Sequence, residues 1–73
     1  MFKTIGEYLR EERYIQDLTQ IEAAGRCGLC RSQYQKYEYD ILIPKIPNCK
    51  KIAKGLRLDE KLLLKMRVES YLQ

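Results

Sequence analysis

The chain has 73 residues, one third of them charged, a net charge of +4 and no histidine. That length suits one domain with a small core, and the lack of histidine removes most metal-hydrolase and acid–base arrangements. Charge appears at Lys3 and no apolar run approaches bilayer length, so a cytoplasmic protein without signal peptide or membrane span is expected.

Phe2, Ile5 and Leu9 recur at helical spacing, and Thr4 is placed to cap a first helix reaching about Tyr14. Asp17 falls in a connector, where Asp tolerates left-handed or bridging backbone. Thr19 and Glu22 make a capping box for a second helix. Its inward stripe is Ile21, Ala24 and Cys27, or Ala23 and Cys27, and Gly28 ends it. A third helix runs from Cys30 or Arg31 to Tyr39, with Tyr34 and Tyr37 inward. Pro44 and Pro47 bound a loop, and Pro47 suits the first position of a fourth helix ending at Gly55. Asp59 caps a fifth helix over about 59–72. With no repeat, linker or low-complexity tract, the expectation is a single all-α, five-helix domain over 1–73.

Leu18 to Glu38 is the most informative stretch. It reads as two short helices joined by a tight glycine turn, with a polar face on the second. That arrangement lets a small protein push one helix into a DNA major groove.

These residues carry a family resemblance. Leu18-Thr19-Gln20 resembles the opening of helix two in the phage-repressor and Cro type of helix-turn-helix domain, the Xre family. Ala24 stands where that family places a small residue at the helix crossing, and Gly28 at its turn glycine. Arg31-Ser32 through Tyr37-Glu38 resembles its recognition helix, and Ile43-Pro44 with Lys51-Ile52-Ala53-Lys54-Gly55-Leu56 its fourth helix. The correspondence runs without a gap from about Ile5 to Leu64. It implies a five-helix, lambda-repressor-like fold with the helix-turn-helix proper at about 19–39.

The resemblance also implies roles. Gln20 would meet a phosphate at the start of helix two. Arg31, Ser32, Gln33, Gln35 and Lys36 would form the DNA-reading face of helix 31–39, the cations suited to guanine and the glutamines to adenine or phosphate. Arg13 and Glu38 fall where the family often places an ion pair tying helix one to the end of helix three. The segment after Glu38 departs from the family pattern of a polar residue, a glycine and then basic residues. Here it is Tyr39-Asp40-Ile41-Leu42-Ile43, which lowers the expected DNA affinity. Ile41 and Leu42 form an apolar patch beside the recognition helix, more typical of a protein contact. Ala23 and Tyr34 offset one another in volume, as one repacked core.

Cys27-Gly28-Leu29-Cys30 has the spacing of half a zinc site or a dithiol centre. Cys49 adds a third thiol, but no histidine supplies a fourth ligand and no strand-to-helix context exists. Cys27 is therefore read as core and Cys30 as a cap or first-turn residue, with no metal or cofactor; a redox role for a thiol at a helix start stays open. In the last helix, Leu62, Leu63 and Met66 are expected to close the core. Leu64, Val68, Tyr71 and Leu72 make a separate seam, expected to form a homodimer interface.

The sequence thus points to a repressor/Cro-like regulator of transcription that binds operator DNA as a homodimer, in a phage, prophage or other mobile element. The alternative is a helix-turn-helix scaffold used as a protein-binding module, such as an antitoxin or phage-encoded inhibitor, through Ile41 and Leu42. No nucleophile, base and orienting group converge, so no catalytic residue and no enzyme is expected.

Overall fold

The computed structural model describes residues 4–72. Within them run five helices: α1 (Ile5–Ile15), α2 (Gln20–Cys27), α3 (Arg31–Glu38), α4 (Ile46–Leu56) and α5 (Glu60–Ser70). Phe2, assigned from the sequence to the first apolar stripe, lies outside the described residues.

Side-chain caps start α1, α2 and α5. The Thr4 hydroxyl accepts the Glu7 N–H at 3.1 Å, and Asp59 accepts the N–H groups of Lys61 and Leu62. The capping box on α2 is complete: Glu22 N–H donates to the Thr19 hydroxyl, and Thr19 N–H to the Glu22 carboxylate. Pro47 falls inside the first turn of α4, one residue later than expected, because Lys45 is the N-cap.

Four helices end alike, with one residue in the left-handed region, but only one of the four is glycine. Asp17 (φ 56°), Gly28 (φ 69°), Asp40 (φ 57°) and Arg57 (φ 58°) occupy it. Around the first three, paired backbone hydrogen bonds close the helix end, as in Leu29 N–H to Ala24 O and Gly28 N–H to Gly25 O. A side chain in this region costs about 1–2 kcal/mol. At Asp40 that cost is offset, because its carboxylate accepts the Gly6 N–H at 2.9 Å and the Thr4 hydroxyl at 2.7 Å. Asp40 therefore takes the place the resemblance gives to glycine and clamps the start of α1 as well.

The core is built around α2, which packs on both α3 and α4; α5 closes the domain against α4 and α1. Leu9, Ala23, Tyr34, Cys49, Ile52, Leu56 and Leu63 lose all contact with solvent. Gly55 is a correction to the sequence reading: it does not end α4 but lies inside it. A Cβ at Gly55 would stand 2.5 Å from the Arg26 carbonyl oxygen, so this glycine exists for the close crossing of α4 on α2. Two apolar assignments also change. Ile21 and Leu62 point to solvent, while Ala23 and Ala24 take the inward face of α2 and Leu63 and Met66 that of α5. Leu64 is half-buried and packs against the core.

Candidate nucleic-acid interface

Four hydrogen bonds from three side chains fix the last turn of α3. Arg13, buried on α1, donates through Nε to Glu38 Oε2 at 2.6 Å and through Nη2 to Oε1 at 3.1 Å. Its remaining Nη1 donates to the Leu18 carbonyl at 2.9 Å, so one guanidinium holds α1, the start of α2 and α3 together. Arg10 donates to the Glu38 carbonyl at 2.7 Å, and Gln20 Nε2 to Glu38 Oε1 at 3.1 Å. Burial opposes the charge on Glu38, yet hydrogen bonds from Arg13 and Gln20 hold its carboxyl below the usual carboxylate range. The Tyr34 hydroxyl is buried beside it without a well-formed hydrogen bond, and burial with the adjacent carboxylate pushes that phenol up.

With Tyr34, Tyr37 and Glu38 turned inward, the outer side of α3 is left to Arg31, Ser32 and Lys36, all exposed. Gln33 and Gln35 are half-buried at its edges. Gln33 donates to the Tyr37 hydroxyl at 3.1 Å, which also accepts from Asn48 Nδ2 of α4 at 2.7 Å. Of the residues assigned to DNA, Arg31 and Lys36 are thus free to reach outward, Ser32 is exposed with its hydroxyl 3.6 Å from Cys30 Sγ, and Gln20, Gln33 and Gln35 have partners within the protein.

An open depression of about 410 Å³ joins the start of α2 to α3, lined by Thr19, Gln20, Ile21, Arg31 and Tyr39 among others. It places Gln20 and Ile21, whose N–H groups open α2 ahead of the capped Glu22 N–H, beside Arg31, the chemistry an anionic oxygen requires. Tyr39 carries no role in the sequence reading beyond ending the third helix. Its hydroxyl lies 3.4 Å from Gln20 Nε2, and hydrogen bonds from Gln20 and Gln35 draw it below the ordinary phenol value. The available signal is its position directly after Glu38, since whatever anchors Glu38 also aims its neighbour. Ile41 and Leu42 are exposed just after α3, and Ile46 is exposed at the start of α4.

The cysteines separate by environment. Burial pushes the Cys27 thiol up to about 11 and raises Cys49 as well. Cys30 is the exposed N-cap of α3; the Gln33 N–H and the Ser32 hydroxyl facing its sulfur hold it below the ordinary thiol value. Among the described residues no group of three or more Cys, Asp or Glu could hold a metal ion, and no helix is long and apolar enough to cross a membrane.

Two short helices in this relation, the second presenting cations from a buried footing, define a DNA-binding helix-turn-helix domain. The helix-turn-helix family matches residues 8–63, and the chain belongs to it, in its Xre or lambda-repressor-like form. No curated protein and no solved structure matches the chain.

Proposed function

We propose that the protein is a sequence-specific regulator of transcription that reads operator DNA with α3, in the manner of a repressor or Cro protein. One observation carries this reading: Arg31, Ser32 and Lys36 stand exposed on one face of a helix whose other face is anchored by Tyr34, Tyr37 and Glu38. Rigid backing fixes the backbone beneath such side chains, so that only the side chains themselves are ordered at base edges. The depression at the start of α2 would seat a backbone phosphate, with Gln20 and Arg31 facing it. Replacing Arg31 or Lys36 with Ala is expected to weaken binding to a preferred site by about 1–3 kcal/mol where the contact is bidentate to guanine. Circular dichroism and melting should stay at wild-type values, since neither side chain is buried. Full affinity in both variants would remove α3 as the reading element.

The dimer belongs to the same proposal. Val68, Tyr71 and Leu72 are exposed at the end of α5 and beyond it, with Leu64 at the inner edge of the seam. A two-fold pair through this seam would fix the spacing of two recognition helices about one DNA turn apart. Val68→Asp or Leu72→Asp would bury an unpaired charge there, so sedimentation should shift from dimer to monomer. Variants that stay dimeric would move the interface to Ile41 and Leu42, and a monomeric wild type would overturn the dimer.

A second reading has its own support. Ile41 at 65% and Leu42 at 46% exposure stand where phosphate-binding cations would be useful to a DNA reader. An antitoxin or inhibitor using this scaffold would dock a protein there. Ile41→Asp would abolish such docking and leave α3 untouched.

A further inference from the structure

We propose that the groove between the C-terminal half of α2 and α4 is a second, sequence-independent phosphate-backbone site, which holds a second duplex segment while α3 engages the first. The inference rests on the DNA-binding reading only for the role of the first duplex.

The groove is an open cavity of about 520 Å³. Arg26, Lys51 and Lys54 line it, with the backbone of Gly25, Gly28 and Gly55 between them and no carboxylate. All three cations are exposed. Among the described residues Lys51 and Lys54 have no ion-pair partner. Glu22, one turn before Arg26, feels that cation's charge, while its Oε1 accepts the Thr19 N–H at 2.9 Å. The crossing at Gly55 brings the lysines of α4 alongside Arg26, because only a residue without Cβ lets the two backbones approach so closely. Of the five cations in the acid-free stretch from Lys45 to Leu58, Lys51 and Lys54 line the groove. The recognition helix supplies only Arg31 and Lys36.

The lining selects the partner. A docked protein segment needs apolar anchors seated in pockets, and the sole apolar side chain here, Cys27, is buried. Cations spaced along glycine backbone suit a sugar–phosphate ridge, which is bound by charge and shape and not by base identity. None of the residues of α3 lines this groove, although Gly28, three residues before Arg31, does. α2 packs against both α3 and α4, whereas α3 and α4 make at most marginal helix contact. Their link, Asn48 to Tyr37, lies in the first turn of α4. Lys51 and Lys54 follow about one and two turns farther on. A duplex lying on α3 therefore leaves the groove open to another segment.

The test compares the pair Lys51→Gln/Lys54→Gln with the charge-matched pair Lys61→Gln/Lys65→Gln, both exposed on α5. A short duplex is immobilised on beads, coated with protein, and offered a free fluorescent duplex of unrelated sequence. Wild type and the α5 pair are expected to retain the free duplex, with retention falling steeply as salt rises. The groove pair is expected to coat the beads but to retain about tenfold less, with the log–log salt slope reduced by roughly 2 for two lost phosphate contacts. Three outcomes would overturn the proposal: no retention by wild type; equal loss in both pairs, which is a net-charge effect; or undiminished retention by the groove pair, which is bridging through a dimer. Failure of the α3 reading appears separately, as an undiminished preference for a selected site over unrelated duplex in an Arg31→Ala/Lys36→Ala protein.

Discussion

Replacing Glu38 with glutamine is expected to destabilise the fold by about 3–5 kcal/mol, the usual result of stranding one partner of a buried ion pair. Arg13 would remain 8% exposed with its charge unmatched, and Gln20 would lose the carboxylate that positions it. A domain of this size has roughly 4–11 kcal/mol in total, so the variant should be partly unfolded at ambient temperature. Urea titration followed by circular dichroism measures this directly; a midpoint within error of wild type would show that the pair contributes nothing. Changing both residues together, Arg13→Met with Glu38→Met, should cost less than the sum of the single changes, because no charge is then left buried. The pair also sets an acid limit. The folded carboxyl of Glu38 lies below its usual range, so its contribution is complete above the unfolded value of about 4.3. That contribution is lost as pH falls through the folded value. Wild-type stability should drop across that interval, and the Glu38→Gln protein, having already lost the pair, should drop less.

The second large effect separates two glycines by sign. Each lies inside a helix, where Ala is favoured over Gly by about 1 kcal/mol. Gly25 is exposed, and a methyl group there would meet nothing within 4 Å, so Gly25→Ala should stabilise by about 0.5–1 kcal/mol. Gly55 would drive its Cβ against the Arg26 carbonyl at 2.5 Å and the Cys27 Cα at 2.8 Å. Backbone cannot rotate aside, so α4 must lift off α2 and loosen the packing that this crossing holds. Overpacking of this kind costs about 1–3 kcal/mol or more, and here it exceeds the helix gain. Melting temperatures moving in opposite directions would bear this out; a stabilised Gly55→Ala would show that α4 has room to shift.

What can be read from the chain follows the range of the interaction concerned. Thr4, Thr19 with Glu22, and Asp59 act on backbone two or three residues away, and sequence spacing alone locates them. Gly28 is legible for the same reason. Asp40 is not, since its partners Thr4 and Gly6 are more than thirty residues distant and only the packing of α1 on α3 joins them. Gly55 shows the opposite error: a glycine near a helix end invites a local meaning, although its cause is the α2 crossing. Ile21 and Leu62 fit an apolar spacing but face solvent, because small side chains at Ala23 and Ala24 let neighbouring helices close over that side of α2, and Leu63 with Met66 fills the core beneath α5. On the candidate interface, the resemblance places Arg31, Ser32 and Lys36 on α3, and the structure shows them exposed. The internal partners of Gln20 and Gln33, and the part played by Tyr39, depend on side-chain contacts between helices that no linear pattern records.

The most direct measurement is selection of bound duplexes from a random-sequence pool by the wild-type protein, followed by titration of the recovered duplex across a range of salt. A regulator that reads DNA with α3 should enrich one common site and bind it about a thousandfold or more tightly than unrelated duplex. The Arg31→Ala/Lys36→Ala protein should lose that preference while keeping salt-dependent binding. Recovery of no common site, with equal affinity for selected and unrelated duplexes, would contradict sequence-specific reading by this domain.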